Sequence, residues 1–191
     1  MKLNERAWAG QIISWIKQSI NDSTTIFQDA TNDEGLKVAS GRTKFPDVLL
    51  FTDKISGVVF NGWELKFPDT PADDSEMLEN ALEKAERLKS NSFVTWNGTE
   101  AIIWKINDDN YSLSSLEKLK VYPKEKDITK RNDLADRNNY NKHEAKLQKR
   151  LNEILHDLGQ LYENGELKNA INISSNIVEA VTQTAMHFVL N

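Results

Sequence analysis

Cysteine is absent from the 191 residues, which excludes disulfides and thiolate metal sites. No apolar stretch approaches the roughly 18 residues that a membrane-spanning helix needs. The opening MKLNERAWAGQ places charges where a secretory signal requires an apolar run. From these absences we expect a soluble, cytoplasmic protein with no membrane partner. A basic surplus is missing as well. The formal charge of −5 excludes the class of nucleic-acid binder whose composition is globally basic.

What the chain does hold is core-forming. Hydrophobic residues make up 39%, with five Trp and seven Phe, enough for one domain of ordinary size with a helical appendage. Charge is unevenly spread. Residues 1–107 carry 12 Lys and Arg against 16 Asp and Glu, whereas 118–150 carry 11 against five. Such a reversal marks either a phosphate-contacting surface or a solvated helix face.

Periodicity gives the order of elements. Trp8, Ile12, Trp15, Ile16 and Ile20 recur at helical spacing, predicting a helix over Leu3–Ile20 with Asn4 as N-cap. Strands are expected at Thr24–Gln28, Asp47–Thr52 and Val58–Phe67, divided by turn signals at Gly41, Pro46 and Asp53–Gly57. Asp73 and Glu76 stand at capping-box spacing before a second helix, whose apolar face holds Met77, Leu78, Ala81, Leu82, Ala85 and Leu88. Ser92–Trp96 and Ala101–Ile106 read as a hairpin joined by Asn97-Gly98. The order is α-β-β-β-α-β-β, an α/β mixed sheet flanked by helices. This core spans 1–106, a polar linker 107–135, and a helical connector 136–191, with helices at His143–Tyr162 and Ile171–Leu190.

The tetrapeptide KFPD occurs twice, at Lys44–Asp47 and Lys66–Asp69. After Asp47 comes VLLF, suited to a buried strand, which places Asp47 at the strand's mouth. After Asp69 comes Thr-Pro-Ala-Asp-Asp, which is a turn. The first aspartate is therefore the chemical candidate. On the following strand, alternation sends Glu64 and Lys66 to one face and Trp63, Leu65 and Phe67 to the other. Burying that carboxylate and ammonium is costly unless compensated, as a divalent cation with a bound phosphate would do. Glu5 lies three and seven residues before Trp8 and Ile12, on the buried side of its helix. It is either a first-turn charge favoured by the helix dipole or a metal-associated carboxylate.

Pro46-Asp47, then Glu64-Leu65-Lys66 on the next strand, within this order of elements, resembles the PD-(D/E)XK nuclease superfamily. The longer run FPDVLLF…GWELKFPDTPADD…NALEKAERLKSNSFVTWNGTEAIIW resembles the N-terminal endonuclease domain of fused restriction–modification enzymes. The resemblance covers roughly residues 1–106 and implies a restriction-endonuclease-like core. It implies Mg²⁺, replaceable by Mn²⁺, held by Asp47, Glu64 and the Leu65 main-chain carbonyl, with Glu5 as a further ligand directly or through water. Lys66 would position or deprotonate the attacking water, or neutralise the transition state. Implied partners are double-stranded DNA, methyltransferase and target-recognition domains in the same longer chain or in separate subunits, and a second copy for double-strand cleavage. The chain itself has no glycine-rich methyltransferase loop and no Asn-Pro-Pro-Tyr/Phe motif. The alternative is a nuclease-fold module that no longer cuts and serves DNA binding or assembly.

Further residues read less sharply. Lys84, four after Asn80 on the second helix, is either a phosphate contact or a surface lysine. Gln28 is either a supporting residue or a ladder-edge amide. His143, His156 and His187 lack metal-ligand spacing and read as structural or surface residues.

Overall fold

Asn4 starts the first helix by accepting the Ala7 N–H on its side chain (2.8 Å), satisfying a donor that has no partner inside the helix. In the computed structural model this helix, α1, runs Glu5–Asp22 and buries Trp8, Ala9, Ile12, Trp15 and Ile16. The structure describes residues 3–23, 25–32 and 46–170, and the backbone alone of 36–37 and 43–44. The expected turn at Gly41, Phe45 of the first KFPD, His187 and the helix expected over Ile171–Leu190 lie outside the described residues.

The strands are β1 (Asp29–Thr31), β2 (Leu36–Lys37), β3 (Thr43–Lys44), β4 (Val48–Asp53), β5 (Val58–Leu65), β6 (Ser92–Trp96), β7 (Ala101–Ile106) and β8 (Leu116–Val121). Six form one mixed sheet in the order β1-β4-β5-β6-β7-β8, and β2 pairs with β3 separately. Among the described strands only β5 and β6 run parallel. A parallel pair needs a crossover, and α2 (Ser75–Leu88) provides it.

Strand alternation sorts the apolar side chains into two layers. Val94 and Trp96 join Trp63, Leu65 and Ile103 in a cluster with α1 and α4 (Arg137–Glu163). Phe93, Ile102 and Trp104 pack with Leu78, Ala81, Leu82 and Ala85 of α2 on the other face. With both faces covered, β5 and β6 are buried almost throughout, their polar residues Asn61, Glu64, Ser92 and Thr95 included.

Four expectations need correction. The first strand is Asp29–Thr31, not Thr24–Gln28, because pairing with β4 sets its register (Asp29 opposite Phe51). Asp74, not Asp73, caps α2, accepting the Glu76 and Met77 N–H groups, while Asp73 pairs with Lys118. Asn97-Gly98 does not form a two-residue turn. Trp96 lies opposite Ala101, so the loop has four residues, with Gly98 at φ +83° and Leu134 packed against it. Residues 107–135 are more than a link: they include β8, hydrogen-bonded to β7, and a short helix α3 (Arg131–Ala135).

The helix α4 is likewise part of the main core, burying Leu147, Leu151, Ile154, Leu155 and Leu158. Ile154→Ala is therefore expected to destabilise the fold by about 2–5 kcal/mol in urea unfolding. A helix that merely projected from the core would show almost no change.

Candidate functional site

Asp47 stands one residue before β4. Its N–H donates to the Trp63 carbonyl (3.1 Å) and its Oδ2 accepts the Leu65 N–H (2.8 Å). Because β4 and β5 are antiparallel, the start of one and the end of the other share an edge of the sheet. Gly62 assists locally: a Cβ there would lie 3.3 Å from the Pro46 Cβ, so its absence lets Pro46 seat on the strand. Along a strand a residue's N–H and C=O project to the same side, so the Leu65 carbonyl faces the Asp47 side too.

Glu64 is 4% exposed and faces α2, where the Lys84 ammonium meets its Oε2. The cavity around them measures only about 10 Å³, lined by Pro46, Gly62, Trp63, Ala81, Ala85 and Phe93. Lys66 follows the last residue of β5, and its N–H continues the pairing by donating to the Trp96 carbonyl (3.1 Å). Its side chain does not stay with Glu64 on the α2 side as alternation predicts. At the sheet's end it is free to wrap round, and its ammonium lies 3.3 Å from Glu5 at the start of α1. Glu5 is half-buried and bound to Lys66 rather than lost in the core.

These groups feel one another. Burial pushes the Asp47 carboxyl above its ordinary value, against the pull of the Leu65 N–H, Lys84 and Lys66, and Glu5 adds to the rise. Burial also raises Glu64, with Lys84 opposing and the Asp47 charge reinforcing. For Lys66, burial works against the ammonium, but Glu5, Glu64 and Asp47 outweigh it and hold the pKa above the ordinary 10.5. Lys66 is thus a cation, not a ready base.

Among the described residues no three carboxylate or imidazole side chains converge as a metal cage. The donor set nonetheless suits a hard divalent cation: two desolvated carboxylates, with the Asp47 charge adding to the cost of ionising Glu64, and a main-chain carbonyl alongside. Glu5 is committed to Lys66, which makes it a positioning group here.

Gln28 is not at this site. Its side chain accepts the Lys54 N–H (3.2 Å) and its N–H bonds the Phe51 carbonyl, at the far end of β4 from Asp47. That separation is about 20 Å of strand. Asp69 is also elsewhere, 3.6 Å from Arg131, whose guanidinium lies over Phe67. The turn reading of the second KFPD agrees with this placement. Lys84 is buried rather than a surface lysine, and the signal for that was present. It completes the apolar stripe Met77–Ala81–Lys84–Leu88, a lone cation facing the lone carboxylate of an apolar strand.

Comparison with known proteins found no matching family model, no matching curated protein and no matching solved structure.

Because the folded-state pKa of Asp47 lies above its unfolded value, the folded chain keeps a proton that the unfolded chain releases. Stability from this group is present below the ordinary 3.8 and is lost as pH rises through the folded value. Thermal melts in chelator are expected to show this loss in the wild type and a smaller loss in Asp47→Asn. Parallel pH profiles for the two would show that Asp47 is not strained by burial.

Proposed function

We propose that the chain is a metal-dependent DNA endonuclease domain of the PD-(D/E)XK type, hydrolysing phosphodiester bonds. One observation carries the reading: Asp47 and the Glu64–Lys66 run, 17 residues further on, meet at the carboxyl end of the parallel pair β5 and β6, where open α/β sheets place ligands. The assembly is desolvated on one side and half-open on the other.

Asp47, Glu64 and the Leu65 carbonyl would hold Mg²⁺ or Mn²⁺. When bound, the metal supplies a water of lowered pKa and charge stabilisation at the scissile phosphate. The remaining work falls to the chain. The Leu65 N–H fixes the orientation of Asp47. Lys66, held as a cation by Glu5 and its other carboxylate neighbours, would offer its charge to the phosphate oxygens. Glu5 aims that ammonium from the first turn of α1.

The finer reading belongs to the same proposal. A restriction-endonuclease-like core would act on double-stranded DNA within a restriction–modification system, in the cytoplasm. Methyltransferase and target-recognition domains, in the same longer chain or as subunits, would supply sequence choice, and two copies would meet for double-strand cleavage. No helix among the described residues is long and apolar enough to cross a membrane. A second reading, a silent nuclease-fold module for DNA binding or assembly, is favoured by the ion pair that already neutralises Glu64.

Supercoiled plasmid incubated at high protein concentration with Mg²⁺ or Mn²⁺ and low salt is expected to be nicked. Lys66→Ala should slow nicking on the order of 100-fold or more while leaving the melting temperature near the wild type. Equal nicking by the variant would sink the proposed site. If the wild type neither nicks nor binds Mn²⁺, the silent module is the better description.

A further inference from the structure

Lys84 is the group in this region that the proposed chemistry leaves unused, and its position is costly. Its side chain is 11% exposed and that of Glu64 6%. An ammonium on the apolar stripe of a crossover helix gives up hydration, and the Glu64 carboxylate compensates it directly, with the Asp47 charge also within its reach. The surrounding cavity of about 10 Å³ holds no more than about one water, far too little for a cation and its hydration shell. Yet the helix allows an exit. Asn80, one turn towards the N-terminus, is only half-buried, and Lys84 has four rotatable methylenes with which to follow that face outward.

We infer that Lys84 is a built-in counter-ion that occupies Glu64 in the metal-free protein and must leave it before a divalent cation binds. The inference rests on the proposed metal site and adds a competition within it: Glu64 holds either the Lys84 ammonium or a metal. Two consequences follow with opposite signs. The ion pair stabilises the metal-free fold, since a buried carboxylate without a partner is heavily penalised. The same pair lowers metal affinity, because every binding event must break it. By reciprocity, metal weakens the hold of Glu64 on Lys84 by the same factor that Lys84 weakens metal binding.

The test is calorimetric titration with Mn²⁺ on the wild type, Lys84→Met, Lys84→Arg and Asp47→Asn, beside thermal melts in chelator. Lys84→Met is expected to melt lower without metal and to bind Mn²⁺ about tenfold or more tightly. Lys84→Arg, which keeps the cation, should bind as the wild type does. A lysine that only braced the helix would lower the melting temperature and leave Mn²⁺ affinity unchanged or weaker. Should Lys84→Met fail to unfold cooperatively, Lys84→Gln carries the same expectation at smaller cost to packing. Binding by the wild type that depends on Asp47 but is unmoved in Lys84→Met overturns the inference and leaves the nuclease reading standing. Binding seen in Lys84→Met and not in the wild type supports a complete lock. Absence of binding in every variant removes the metal site, and the inference with it.

Discussion

A carboxylate buried in the middle of a sheet covered on both faces is the constraint from which much else here follows. Glu64 lies on β5, one of the two parallel strands, with α1 and α4 on one face and α2 on the other. Such a strand tolerates an ionised side chain only at its end and only with compensation. The end of β5 supplies both conditions. Asp47 and Lys66 approach along the sheet's edge, and α2 must cross at the height that brings Lys84 onto Glu64. The position of the crossover helix is thus tied to one charge as well as to its apolar stripe.

The two lysines divide the site's electrostatics. Lys84 is sequestered, pairs with Glu64 and also favours the charged form of Asp47. Lys66 is more open, feels three carboxylates and stays protonated. For phosphodiester hydrolysis of the proposed kind, a permanent cation at the open side complements charge developing on phosphate. A buried cation on the ligand side opposes a second cation. One residue type therefore acts in opposite directions, and burial decides which.

Where the signal was local, the sequence was readable. Ser92–Trp96 and Ala101–Ile106 have the expected bounds, because both are runs of β-branched and aromatic residues bounded by turn residues. Asn4 was legible as a cap for the same reason. Elements made by pairing were not. LEKLKV has charge on most of its surface and looks like linker, yet it is the edge strand β8, whose lysines suit an edge that must not recruit another chain. Gln28 was misplaced because β1 is only three residues long and takes its register from β4. At the site, turn chemistry singled out Asp47 and alternation the Glu64–Lys66 pair as candidates, although alternation sent Lys66 to the Glu64 face. That Lys84 faces Glu64, and that Lys66 turns to Glu5, depends on how α2 and α1 sit on the sheet, which no local pattern contains.

The basic run over 118–150 shows how misleading composition becomes once the chain is folded. Lys118 meets Asp73, Lys120 meets Asp157, Lys124 meets Glu100 and Arg131 meets Asp69. Lys146 faces Asp127, Lys149 reaches Glu153, and Arg150 holds Glu125 and Glu153. Each exposed pair contributes at most about 1 kcal/mol, so stability is not the main effect. Their effect is on the field: seven of the eleven cations in the run face carboxylates, three of which (Asp69, Asp73 and Glu100) come from the acidic half of the chain. A surface neutralised in this way releases few counter-ions on meeting DNA, and counter-ion release supplies most of non-specific affinity. For the proposed nuclease, this stretch would then offer the phosphate backbone less attraction than its composition suggests. In that proposal, holding the duplex long enough for cleavage would gain from another domain or a second copy, which is the part the proposed target-recognition partner would play.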